Sequence, residues 1–209
     1  MSRIKTVQRV QYGRFNWLYP IPEDLYNEYI TKTGTKLIIS IDPGLDFGVA
    51  IWLANGVPPG VGDRMPMPIK VGLYTGLASA PLTWEQKLAE LTRVYVDMFI
   101  YSQSLERLVL EIPRAYTQTQ TGRASAESGA LVKLAVGVGI LWGLALERNI
   151  VVVPYEPQAW KGQLEKQVME ARIMQLYYMD GKSGITHGWK SHIWDAVGLG
   201  LHYFGLLSF

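Results

Sequence analysis

The chain has 209 residues, 48% of them apolar and 18% charged, which suits one well-buried core and is small for two. Net charge is only +2, so overall charge marks no nucleic-acid partner and any basic surface must be local. There is no cysteine, which excludes disulfides, thiolate nucleophiles and zinc–thiolate sites and fits a cytoplasmic protein.

Residues 1–35 read as an N-terminal extension set apart from a domain over 36–209. Arg3, Lys5, Arg9 and Arg14 occur there without an acidic residue before Glu23, and Tyr12, Phe15 and Trp17 lie among or just after them. Basic residues interleaved with aromatics suit phosphate contact plus base stacking. The plain alternative is an arm that packs its aromatics on the core. Pro20, Pro22 and the Thr33-Gly34-Thr35 stretch bracket a short helix around Glu23 to Ile30. The first 20 residues carry no apolar signal core.

Lys36 to Ile41 is an apolar, β-branched run ending in Asp42. Pro43 and Gly44 supply a tight turn, and Phe47 to Trp52 returns as an antiparallel neighbour. Ser40 and Asp42 share one face of the first strand. Asn55 to Pro68 is a Gly/Pro-rich loop, and Ile69 to Thr75 a third strand. Thr83-Trp84-Glu85-Gln86 has capping-box form and opens a helix with Leu88, Leu91, Tyr95 and Met98 in one stripe.

Arg107 to Ile112 is a buried strand that carries Glu111 and stops at Pro113. Arg114 to Arg123 reads as a polar loop. Ala124 to Arg148 is a long helix with Leu131, Leu134, Val138, Leu141, Trp142 and Ala145 on one side, and Gly139 and Gly143 permit close approach of another element. Its longest apolar run, Leu134 to Leu146, is too short to span a bilayer, so no membrane is expected. Ile150 to Val153 is a strand closed by Pro154. Pro157 to Gly162 is a helical turn, Lys166 to Tyr178 a helix, Asp180 to Gly188 a loop, and Lys190 to Leu206 the last helix. Three hairpin-like strands, then helix-strand-helix-strand-helix, predict an α/β domain: a five-stranded mixed sheet flanked by helices.

Asp42 and Glu111 end two apolar strands. If those strands are parallel neighbours, both carboxylates emerge at one edge of the sheet. His192 and Asp195, three apart, share a helix face that can dock across it. Three carboxylates gathered there need a positive partner. Hard oxygen ligands with one imidazole suit Mg²⁺, with Mn²⁺ able to substitute. Two such ions about 3.5–4 Å apart form a clamp for in-line phosphodiester displacement, which points to a hydrolytic nuclease. Each residue also has a plain reading: Asp42 opening a turn, Glu111 a strand-end charge, His192 packed on Trp189 or Trp194, Asp195 a buried helix partner.

Ile41-Asp42-Pro43-Gly44, Leu110-Glu111, Pro157-x-x-Trp160-Lys161-Gly162, Lys166 and His192-x-x-Asp195-Ala196 resemble, in order and spacing, the RuvC-type Holliday-junction resolvases. The Trp160-Lys161-Gly162 signature and the run Asp195 to Gly200 are most similar to bacteriophage-borne members. The resemblance covers about Lys36 to Phe209. It implies a ribonuclease H-like fold and a homodimeric, Mg²⁺-dependent endonuclease that resolves four-way DNA junctions in the cytoplasm, the host's if phage-encoded. Asp42, Glu111, His192 and Asp195 then hold two metal ions, and Lys166 lies close to the scissile phosphate. Lys161 contacts DNA phosphates, Tyr116 stacks on an opened base, and Arg114 and Arg123 join the DNA surface. Glu165 stands where many phage relatives have proline, and residues 1–35 have no counterpart.

Three other readings compete. Flaps, forks or packaging intermediates are alternative substrates for the same chemistry, because metal ligands do not specify DNA shape. A non-catalytic DNA-binding protein uses the same fold. Actin-like kinases share the Asp-x-Gly hairpin, but need a second nucleotide-binding half and a further glycine-rich loop that this chain lacks.

Overall fold

The computed structural model describes residues 13–18, 20, 27, 28, 31, 34–56, 66–99, 104–114, 129–162, 164–179 and 188–207. In chain order the elements are β1 (Arg14–Leu18), β2 (Leu37–Asp42), β3 (Phe47–Leu53), β4 (Lys70–Thr75), α1 (Trp84–Met98), β5 (Leu105–Glu111), α2 (Ala130–Glu147), β6 (Val151–Tyr155), α3 (Pro157–Lys161), α4 (Lys166–Met179) and α5 (Ser191–Tyr203). The strands form one mixed sheet in the order β1-β4-β3-β2-β5-β6. β1, β4, β3 and β2 are mutually antiparallel neighbours, whereas β2, β5 and β6 run parallel.

The fold class is the α/β arrangement expected, with one strand more than the five anticipated. Arg14–Leu18, read as part of a basic and aromatic arm, pairs with β4 from Arg14 opposite Thr75 to Leu18 opposite Val71. Phe15 stacks on Trp17 and meets Phe47 edge-on, so the aromatics of β1 lie on the apolar layer. The expected helix around residues 23–30 falls largely outside the described residues.

β2 and β3 are central because their sequences are apolar on both faces. Ile41, Phe47, Ala50 and Trp52 are fully buried, as are Leu108, Val109 and Leu110 of β5. Burying each large apolar side chain contributes about 1.5–3 kcal/mol. One face of the β2–β3 hairpin presents Ser40 and Asp42 opposite Ala50 and Gly48, and α5 lies across it. On the other face Phe47 meets Tyr95 of α1. The capping box of α1 forms as expected: Thr83 N–H donates to Gln86 Oε1 at 3.0 Å and Gln86 N–H to Thr83 Oγ1 at 3.4 Å.

α2 rests on α1 and β6 through Val138, Leu141 and Ala145. The apolar run read as too short to span a bilayer belongs to an 18-residue helix of mean hydropathy 1.8, long and apolar enough by length and composition to cross a membrane. The difference is Ala130 to Lys133 at its N-terminal end and Glu147 at its C-terminal end, which belong to the same helix. β6 continues through Pro154 to Tyr155 rather than stopping at the proline. It lies at the margin of the sheet, where a missing N–H leaves no ladder bond broken.

Candidate metal centre

Ile41 of β2 pairs with Leu110 of β5 in parallel register. Asp42 and Glu111, the next residue on each strand, therefore leave the sheet side by side at its carboxyl edge. α5 then brings His192 and Asp195 over that edge, and three small residues decide how closely. A Cβ on Gly48 would lie 1.8 Å from the His192 carbonyl oxygen, one on Gly200 2.4 Å from the Trp52 ring, and one on Gly198 2.8 Å from the Trp160 ring. Only glycine lets the helix settle this deep. A buried hydroxyl completes the docking. Ser40 Oγ donates to the Ala196 carbonyl at 2.7 Å and accepts from Trp52 Nε1 at 2.9 Å.

The result is a compact polar cluster. His192 Nδ1 and Asp42 Oδ2 are 2.6 Å apart. One donor atom from each of Asp42, His192 and Asp195 falls within 4.8 Å of the others, a set able to hold a metal ion. Two oxygens and an imidazole suit a hard divalent cation such as Mg²⁺ or Mn²⁺, so the residues present fit the expected group. Glu111 stands beside this set and is engaged elsewhere. Its Oε2 accepts from Trp160 Nε1 at 2.7 Å and lies 3.1 Å from Lys161 Nζ.

The electrostatics follow from crowding. Burial raises the Glu111 and Asp195 carboxyls above the ordinary range, the charge of Asp42 adds to both shifts, and Lys161 opposes both. His192 is raised chiefly by its hydrogen bond to Asp42, with burial working the other way. Burial disfavours the Lys161 ammonium, but Glu111 and Asp195 outweigh it and the net shift is upward. Lys166, at the start of α4, is near enough for its charge to act on both His192 and Asp195.

The structure thus gathers Asp42, Glu111, His192, Asp195, Lys161 and Lys166 in one place. Lys161 is the lysine expected to contact DNA phosphates. Among the described residues its partners are carboxylates, because three acidic groups in a half-buried site draw in a nearby cation. Arg114 is exposed and ion-paired with Glu156, just ahead of α3. Tyr116 and Arg123 lie outside the described residues. Sequence reasoning missed the part played by Trp160, which is fully buried and spends its single N–H on Glu111. Its signal was a tryptophan directly beside the lysine, in a short helix following a strand parallel to that of Glu111.

Compared with protein-family models and with curated proteins, the sequence matches none. Solved structures do match. The structure of Thermus thermophilus RuvC aligns over 82% of this chain and 98% of its own at TM-score 0.52 and 15% identity. The chain has the RuvC-like fold. The same protein in complex with Holliday junction substrate aligns over 83% of this chain and 98% of its own, at TM-score 0.51 and 15% identity.

Proposed function

We propose that this protein is a divalent-metal-dependent endonuclease that resolves four-way DNA junctions. The observation that carries the reading is the convergence of Asp42, His192 and Asp195 donors within 4.8 Å at the sheet edge, on a fold shared with a protein solved on a Holliday junction. Bound Mg²⁺ or Mn²⁺ would supply the Lewis acidity for hydrolysing a phosphodiester. Asp42, Glu111, His192 and Asp195 are the residues that would hold it. Asp42 fixes the His192 ring through Nδ1, so Nε2 is the ring nitrogen outside that hydrogen bond. Lys166, whose charge already acts on His192 and Asp195, would meet a phosphate beside the site. Trp160 orients the Glu111 carboxylate through its neutral N–H, a hydrogen bond that favours the ionised form.

A junction has two-fold symmetry, and one site per chain calls for two chains related by a two-fold axis. α2 supports this, since it exposes Val132 at 65%, Val136 at 38% and Leu146 at 62%. Among the described residues nothing lies within 4 Å of a Cβ on Gly139 or Gly143, which leaves room there for a second backbone to approach.

The test is cleavage of four-way junctions, flaps, forks and linear duplex in Mg²⁺ and in Mn²⁺, with Asp42→Asn alongside. Junctions should be cut in preference, and Asp42→Asn should abolish cutting while keeping most junction affinity, which comes mainly from Lys and Arg on phosphates. Preferential cutting of flaps or forks would move the substrate. Full cleavage by Asp42→Asn would remove that carboxylate from the chemistry.

A further inference from the structure

The half of the site around Glu111 already contains a cation. Lys161 Nζ lies 3.1 Å from Glu111 Oε2 and 3.9 Å from Asp195 Oδ1. It also sits 4.8 Å from the centroid of the Trp160 ring, whose N–H bonds the same Glu111 oxygen. Asp42, His192 and Asp195 face one another, while Glu111 faces the lysine. The two halves share Asp195.

We propose that Lys161 is a resident counter-ion that competes with the divalent metal for Glu111 and Asp195, so that complete metal loading requires the lysine to leave. The inference rests on the metal-site reading above. An ammonium and a divalent cation cannot both sit about 3 Å from one carboxylate oxygen without strong like-charge repulsion. Lysine suits a replaceable role better than arginine: it is a compact charge on a flexible four-carbon stem, not a planar fork locked to two oxygens. Its side chain is 29% exposed, so the head has a way out to solvent. Its backbone is fixed at the end of α3, where Gly162 takes a positive φ of 59° and terminates the helix. In the metal-free protein the lysine offsets two carboxylates that would otherwise repel; once displaced, its head becomes available to a phosphate.

The experiment is Mn²⁺ binding to the full chain without DNA, by calorimetry and by loss of the free-ion paramagnetic signal. The parent is compared with Lys161→Met, Lys161→Gln and Asp195→Asn, each first shown to melt cooperatively. Removing the competing charge should tighten Mn²⁺ binding about tenfold or add a second bound ion. The metal-free melting temperature of Lys161→Met should fall and be raised by saturating Mn²⁺ more than that of the parent. Unchanged or weaker binding in both folded lysine variants, with binding by the parent lost in Asp195→Asn, overturns the counter-ion role and leaves the metal site standing. No Mn²⁺ binding by any of the four proteins overturns both.

Discussion

Ser40 Oγ and the Ala196 carbonyl, 156 residues apart in the chain, are joined by a 2.7 Å hydrogen bond in a dry interior. The serine is two residues before Asp42 and the alanine one residue after Asp195, so a single hydroxyl couples the strand and the helix that carry the site. It also accepts the Trp52 N–H. Ser40→Ala leaves that indole donor unpaired in the core, which costs about 1–3 kcal/mol. Urea unfolding should show a loss in this range, together with slower cleavage. A variant as stable as the parent would mean that the hydroxyl bears no such strain.

Gly48 stands across the hairpin from Asp42 and beneath the His192 backbone. An added methyl there meets a carbonyl oxygen, which no rotamer change can avoid. Gly48→Ala should therefore lift the start of α5 and part His192 from Asp42. A displacement of about 1 Å can cost a hundredfold in rate, so cleavage and Mn²⁺ affinity should fall together while the fold persists. Normal rates in this variant would show that the helix does not need to lie so low.

Proton binding gives the site a signed pH dependence. Glu111, Asp195 and His192 are all raised above their ordinary values. A group raised by folding contributes stability below its unfolded pKa and loses it as pH climbs through the folded one. The metal-free site should thus hold best in acid and weaken from the ordinary carboxylate range up past the imidazole value of about 6.5. A divalent ion held here would bind the deprotonated set, so the melting-point rise caused by Mn²⁺ should grow between about pH 5 and pH 8. Cleavage should lose its acid limb in His192→Asp. A metal-induced rise that is flat with pH would detach these groups from the ion.

An apolar helix face this open asks for a partner. Light scattering should give twice the chain mass, and Val132→Glu should reduce it to one while leaving Mn²⁺ binding intact. A monomeric mass both free and with junction bound would exclude the paired arrangement.

The placement of the acidic groups was legible because strand periodicity puts a terminal carboxylate at a known edge, and because an i, i+3 pair must share a helix face. What escaped was of a different kind. Arg14 and Asn16 are exposed while Phe15 and Trp17 are half-buried, a two-residue alternation that the basic and aromatic composition of the arm obscured. Pro154 looked like a terminator, and only the position of β6 at the sheet margin makes it harmless. The carboxylates around Lys161 were not foreseen, because local sequence does not say which acidic groups will surround a lysine. Long-range contacts such as Ser40 to Ala196 have no local signature at all.

β1 also determines what the protein shows to its neighbours in solution. β4 is six residues long and mostly buried, with Val71, Gly72 and Tyr74 in its middle. Left unpaired, its row of free amides and carbonyls would be a template for joining chain to chain. β1 replaces it with five residues carrying Arg14 at one end and a proline two residues beyond the other. Short, charged borders of this sort resist self-association. Loss of Arg14–Leu18 would consequently be felt first as concentration-dependent clumping, visible by sedimentation, in a chain whose candidate metal ligands are untouched.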